Sequence, residues 1–373
     1  MKPTHTKSGN TIDYSQADAE SPGVVYTPRQ RYTVSFTGTA GEYFRIWFVN
    51  FLLTVLTLGI YAAWAKVRTR QYFYAHTNLA GHSFEYRADP WYILRGNLII
   101  GAGLLLYLTI ETIWPFYSSI VLVAFYLLFP FLVYKSLRFN AYNSAYRNIR
   151  FQFRGTIKDS YKIYLLIPVL IPLTLGLIVP YWMFRKKKYF FENFSFGRSR
   201  NLFSGIAGPF YRAYSSAGLV IIAVAIMAAG GAYFFLSQRQ ILTLPFENTS
   251  LLFKLLPVIG FLIVSVTFTF IQQLLFARLT NYCWGHTGVE GIRFDCQLKP
   301  SRLVWLRLTN IAGIILSLGL LLPWAKIRRT RYILGRLTMI SERSLDAFAA
   351  AEQSAESAFG EVATGFFDID IGF

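Results

Sequence analysis

Histidine and cysteine are the side chains best suited to hold a transition metal or open nucleophilic chemistry, and the sequence has four of one and two of the other. His5 lies close to the start. His76, His82 and His286 fall in two comparable loops, with Cys283 near His286. Those four could meet as a metal site, but no tight set of ligand spacings supports it, and His76 and His82 are six apart. Structural roles are therefore expected, with no metal and no cofactor. Proton- or cation-coupled transport would be marked by acids inside apolar segments. Here Glu111 and Glu247 lie only at segment ends, and inside the second close pair of segments the polar residues are Lys254, Gln272 and Gln273. No Ser-His-Asp order or nucleotide-binding glycine loop stands out. Gly101 and Gly103 read as helix packing. The chain is not expected to be an enzyme.

The elements that would position these residues are apolar. Of 373 residues, 54% are hydrophobic and 15% charged, where soluble domains carry about 25% charge. Seven apolar segments run at approximately 44–65, 93–112, 114–134, 162–184, 212–236, 251–276 and 304–325, as a multi-pass membrane protein is written. Four of them form two close pairs with base-poor connections, expected outside. The expected fold class is an all-α polytopic membrane protein with internal repeats. It has four transmembrane helices, three short Gly/Pro-broken apolar segments that either re-enter or span (up to seven spans), and short cytosolic β-strands.

The three solitary segments resemble one another. They read Leu56-Thr57-Leu58-Gly59-Ile60, Leu173-Thr174-Leu175-Gly176-Leu177 and Leu316-Ser317-Leu318-Gly319-Leu320, with Arg68, Arg185 and Arg328 each nine residues after the glycine. Pro180 and Pro323 follow the second and third glycines by four. The copies are 117 and then 143 residues apart, an internal repeat. Both flanks of each segment are basic, which favours re-entry, whereas about 20 residues at 1.5 Å each also suffice to cross. Gly59, Gly176, Pro180, Gly319 and Pro323 are candidate solute or packing breaks.

The exits carry Lys66, Arg68 and Arg70, then Arg185, Lys186, Lys187 and Lys188, then Lys326, Arg328, Arg329 and Arg331. These bases are candidates for topology control or for contact with anionic lipid headgroups. Tyr72, Tyr189 and Tyr332 beside them read as interfacial anchors. The net charge is +18, and residues 341–373 carry −6 of it, leaving a basic body. Because its bases flank apolar spans, nucleic acid is not an expected partner. The acidic tail is expected to be cytosolic and to dock on the chain's own basic loops, and a homo-oligomer is a further expectation.

Alternating stretches at Tyr32–Phe36, Ser83–Tyr86, Ile149–Phe153 and Ile292–Cys296 have strand character, with Phe194–Phe196 a weaker fifth. Helix starts follow from Thr39 with Glu42, Thr156 with Asp159, and Asp89 before Pro90. Residues 1–30 read as a disordered cytosolic leader without a signal peptide, 31–340 as a repeated membrane domain, and 341–373 as the tail. Cys283 and Cys296 are expected as free thiols.

The run GIYAAWAKVRTRQY from Gly59 to Tyr72, followed by Asn78, Gly81, Phe84-Glu85-Tyr86 and Asp89-Pro90, resembles the YjgN-like family of bacterial inner-membrane proteins. Asn143 with Ile149-Arg150-Phe151, Trp324-Ala325-Lys326-Ile327-Arg328, and Phe367-Asp368-Ile369-Asp370-Ile371-Gly372 fit the same pattern. The resemblance covers 34–340 and the tail end. It implies a multi-pass inner-membrane protein, with the N-terminus and most loops cytoplasmic. The family has no established activity, so no catalytic residue is carried over. The function expected first is that of a solute transporter or channel-like protein. The alternative is a structural or lipid-interacting membrane protein.

Overall fold

A computed structural model describes residues 30–197, 199–237, 251–289 and 291–342. The expectations for the leader and the acidic tail therefore lie almost wholly outside the described residues. Four long helices carry the most apolar sequence: α3 (Pro90–Ile113) pairs with α4 (Pro115–Tyr142), and α8 (Gly208–Ser237) pairs with α9 (Leu251–Gly285). Each is long and apolar enough to cross a bilayer. Only 6–22% of the most apolar stretch of each is buried against the rest of the protein. So much exposed Leu, Ile and Phe is compatible with lipid and not with water.

The solitary segments form three helix pairs rather than single rods. These are α1 (Ala40–Leu56) with α2 (Ala62–Ala75), α5 (Ile157–Tyr161) and α6 (Ile167–Leu173) with α7 (Val179–Asn193), and α10 (Pro300–Leu316) with α11 (Leu322–Leu334). Between α5 and α6 the helix passes through a π turn, Lys162–Leu166.

The tips share one device. Leu58, Leu175 and Leu318 take φ of 50°, 48° and 50°, and the following Gly59, Gly176 and Gly319 take 93°, 83° and 94°. The glycine N–H donates five residues back, to Thr54, Ile171 and Ile314 oxygens, at 2.8–2.9 Å. The Thr57 and Ser317 hydroxyls accept from Tyr61 and Leu321 N–H. The reversal thus satisfies its own backbone, as an apolar surrounding requires. Pro180 and Pro323 open the returning helices near the first position, where a missing N–H costs nothing. Gly319→Ala has open space but the wrong φ, so it is expected to destabilise by about 1–2 kcal/mol. Gly313→Ala, inside α10 with only ordinary contacts, should be neutral or stabilising. Thermal unfolding in detergent distinguishes the two.

The expected short strands are present, but the twelve among the described residues pair into two antiparallel sheets, which corrects the all-α expectation. One runs β1-β12-β11-β10-β9 and the other β2-β3-β4-β5-β6-β7-β8. In chain order the strands are β1 (Gln30–Thr33), β2 (Ser35–Phe36), β3 (Thr77–Leu79), β4 (His82–Tyr86), β5 (Ser144–Tyr146) and β6 (Ile149–Phe153). They continue with β7 (Phe194–Phe196), β8 (Ser199–Arg200), β9 (Leu202–Phe203), β10 (Thr287–Val289), β11 (Ile292–Cys296) and β12 (Leu337–Ser341). Val34 alone separates β1 from β2, and Asn201 alone separates β8 from β9, so the sheets meet at both ends. They share one core, in which Val34, Leu79 and Tyr146 pack with Val289, Ile292 and Met339. Short strands so paired hold where isolated ones would not. Among the aromatic rings facing that core a cavity of about 280 Å³ remains.

The strands position every helix. β2 pairs with β3 across the first helix pair, β6 with β7 across the second, and β11 with β12 across the third. β4 pairs with β5 across α3–α4, and β9 with β10 across α8–α9. Each helical excursion therefore ends hydrogen-bonded beside the strand from which it left.

The helix starts are built as follows. Thr39 Oγ1 accepts from Glu42 N–H at 3.3 Å, Thr156 Oγ1 from Asp159 N–H at 3.1 Å, and Asp89 Oδ1 from Trp91 N–H at 3.0 Å. Glu42 does not reach back to Thr39 N–H. That N–H is taken by the Tyr72 hydroxyl at 2.9 Å, which in turn donates to Glu42 at 3.1 Å and holds its carboxyl below the usual range. Tyr189 donates to Thr156 O at 2.9 Å, and Tyr332 accepts from Lys299 N–H at 3.0 Å. Each tyrosine lies 13 residues after its tip glycine and locks the root of its hairpin.

Candidate functional site

A cluster of basic charge in a concave place lies between α1, α9, α10 and α11, around a cavity of about 510 Å³. Three bases line it: Arg307 from α10, and Lys326 and Arg329 from α11. Among the described residues, no Asp or Glu lines it. One wall is apolar, formed by Trp47, Ile311, Ile314 and Leu322. The 3–4 spacing of Leu303, Arg307, Asn310 and Ile314 puts them on one face of α10. Lys326 and Arg329, three apart, do the same on α11.

Aromatic groups occupy the places that carboxylates would take. Lys326 Nζ lies 4.8 Å from the Phe73 ring centre and donates to Tyr43 Oη at 3.2 Å. The Arg329 guanidinium lies 5.2 Å from the Phe276 ring centre, brought in by α9. Such contacts hold a cation in place without cancelling its charge. Asn310 fixes the two arms of the hairpin, donating to Ala325 O at 3.2 Å and accepting from Arg328 at 3.0 Å. Asn50 makes the matching, longer contact to Ala65 O in the first hairpin, at 3.5 Å. In the second, Ile167 stands in the equivalent place, and the Trp182 indole N–H donates across the arms to Ile163 O instead.

The fourth polar participant is Gln273 of α9. It is 4% exposed, lines the same cavity, and its Oε1 has no hydrogen-bond partner among the described residues. A buried amide oxygen left unpaired costs about 1–3 kcal/mol.

The remaining expected site residues are dispersed. Gly59, Gly176 and Gly319 line neither of the two cavities described; they sit in hairpin tips whose leucines are 92–95% exposed. Pro180 is buried in the second hairpin, and Pro323 lines the basic cavity. Arg70 binds the Tyr86 hydroxyl at 2.6 Å and Asn140. Arg328 binds Thr309 Oγ1 at 2.6 Å, and Arg331 binds Gly38 O at 2.9 Å. These three tie elements together. Lys66 and Arg68 are exposed on α2, with Arg68 reaching Tyr61 at 3.5 Å. On α7, Lys186 packs 3.7 Å from the Trp182 ring centre and Lys188 pairs with Glu192 at 4.0 Å, while Arg185 and Lys187 are half-buried.

The histidines do not converge. His76, His82 and His286 each contact a carbonyl of their own loop or helix end, at Tyr72, Ala80 and Tyr282. Among the described residues, no group of three metal-ligating side chains forms. Cys283 and Cys296 are buried and free, and burial pushes the Cys296 thiol up to about 11. In the sequence Arg307 is one of several bases that open its apolar segment, and Gln273 is one of two adjacent amides in another. An amide in an apolar run was the available signal.

Residues 31–366 match a family model described as a bacterial protein of unknown function, DUF898. The chain belongs to this family. Its relatives include the inner membrane protein YjgN of Salmonella typhimurium, 31% identical over 149 residues, which is 40% of this chain and 38% of that protein. YjgN of Escherichia coli strain K12 is 28% identical over 149 residues, covering 38% of this chain and 36% of its own. The match thus spans less than two-fifths of the length of these curated relatives. No solved structure matches. With four exposed apolar helices long enough to cross a bilayer, this YjgN-like chain is an integral membrane protein.

Proposed function

We propose that the protein is a multi-pass component of the bacterial inner membrane with three re-entrant helical hairpins, and that it binds anionic phospholipid at the basic cavity beside the third. The observation that carries this reading is the cavity lined by Arg307, Lys326 and Arg329 with an apolar wall and, among the described residues, no acid. That pairing of charge with apolar surface is the chemistry of a lipid headgroup and its chain.

Hairpin geometry supports it. Lys326 lies seven residues and Arg328 nine residues beyond Gly319, or about 10 and 13 Å along a helix. Half a hydrocarbon core is about 15 Å. A tip at the mid-plane therefore sets the basic ring at headgroup depth. The excess of bases there orients the strand ring toward the cytoplasm. A solute conduit through the glycine breaks finds no comparable support, because Leu58, Leu175 and Leu318 point their side chains outward at the tips.

The test is lipid retention by the purified protein, read by native mass spectrometry. Phosphatidylglycerol is expected to be retained over phosphatidylcholine. The triple variant Arg307→Gln, Lys326→Gln, Arg329→Gln should lose that preference by about tenfold, since each base near an anionic surface contributes about 1 kcal/mol and glutamine keeps part of the polar contact. An unchanged preference would remove the site from consideration.

A further inference from the structure

The basic cavity contains a group that three cations and an apolar wall do not explain. Gln273 lies within the apolar run of α9, is buried, and leaves its Oε1 without a donor among the described residues. The other polar groups of the wall are committed: Tyr43 Oη accepts from Lys326, and Asn310 holds Ala325 and Arg328. Lys326 and Arg329 are themselves drawn onto aromatic rings. The vacant chemistry is therefore an acceptor beside three positive charges.

A ligand that completes this set needs an anionic group for the bases and a hydrogen-bond donor for Gln273. The donor must be neutral, because an ammonium would stand among three cations at a cost. A phosphodiester carrying a free hydroxyl meets both conditions, and the wall of Trp47, Ile311, Ile314 and Leu322 adds a place for its acyl chain. We infer that the cavity takes a glycerophospholipid with a hydroxylated headgroup, of the phosphatidylglycerol class, and that Gln273 reads the hydroxyl. This inference rests on the lipid-binding reading above and goes beyond charge alone.

Two lipids separate the inference from its foundation. Phosphatidylglycerol and phosphatidylmethanol with the same acyl chains carry the same single negative charge, but only the first has headgroup hydroxyls. The full chain, purified in detergent and titrated with each lipid against phosphatidylcholine, is expected to favour phosphatidylglycerol over phosphatidylmethanol by five- to tenfold. Gln273→Leu should lower phosphatidylglycerol to the phosphatidylmethanol level and leave the latter unchanged. Equal binding of the two lipids to the wild-type protein would overturn the inference while leaving the basic site intact. Binding of neither above phosphatidylcholine would overturn both. A preference that persists in Gln273→Leu would remove Gln273 as its source. Because the wild-type comparison needs no variant, the inference stays testable even if that substitution fails to fold.

Discussion

Single cysteines at Thr39, Ser83, Gln152, Arg200, Ser301 and Glu342, in a background with Cys283 and Cys296 replaced, are expected to react with an impermeant maleimide from one side of the membrane. A cysteine at Ser119, in the α3–α4 turn region, should react only from the other. Those six positions flank the three hairpins in pairs, and all are exposed. The all-or-none expectation comes from strand pairing. Thr37 N–H donates to His76 O at 2.9 Å, Arg154 N–H to Asn193 O at 2.8 Å, and Gln297 N–H to Arg336 O at 3.1 Å. Each bond closes the mouth of one hairpin. A segment that crossed the bilayer would separate its two flanks by about 30 Å and break every one of these pairs. Inverted vesicles and intact cells give the two sides. Labels that change side across any one hairpin would mean that this segment spans, and the headgroup-depth argument for its bases would fall with it.

The hairpins were half-visible in the sequence because their tips depend on local chemistry. Leu-Thr-Leu-Gly or Leu-Ser-Leu-Gly places a glycine where φ is positive and a hydroxyl two residues before it, and both are readable in one chain segment. Which of re-entry or crossing follows is not local, since it depends on β2 finding β3 some 40 residues away. Four of the five alternating stretches were legible as single strands, including the weakest, Phe194–Phe196, which pairs with both β6 and β8, whereas Tyr32–Phe36 breaks at Val34 into β1 and β2 of different sheets. Strands such as Thr77–Leu79, Ser144–Tyr146 and Thr287–Val289 were not. Three residues directly after a helix carry no period, and they are strands only because partners from elsewhere flank them. The same limit hid the basic cavity. Gln273, Arg307 and Lys326 belong to three helices, and nothing in their separate neighbourhoods announces that they share a wall. It also hid Tyr72, which reads as an interfacial anchor and in fact takes the N–H that Glu42 was expected to cap.

The exit bases, alike in sequence, should separate sharply in their effect on folding. Arg70→Ala is expected to destabilise by about 3 kcal/mol, roughly 150-fold in the folding equilibrium. Its guanidinium reaches out of α2 to the Tyr86 hydroxyl of β4 at 2.6 Å and to the Asn140 amide oxygen of α4, while lying 5.1 Å from the Tyr86 ring centre. One side chain thus joins the first hairpin, the sheet and the first spanning pair. Hydrogen bonds to a charged group contribute about 1.5–3 kcal/mol each, and their loss leaves Asn140 Oδ1 without that donor. Arg70→Lys should recover only part, because an ammonium on a flexible stem lacks the planar fork that serves two acceptors. Lys66→Gln and Arg68→Gln, on exposed side chains of the same helix, should stay within about 0.5 kcal/mol. Thermal unfolding in one detergent reads all four variants. If Arg70→Ala melted with the exposed pair, the basic exits would be a uniform electrostatic ring. The expected split instead divides the bases into those that hold the hairpins to the ring of strands and those, like Lys66 and Arg68, that are exposed and tie no elements together among the described residues.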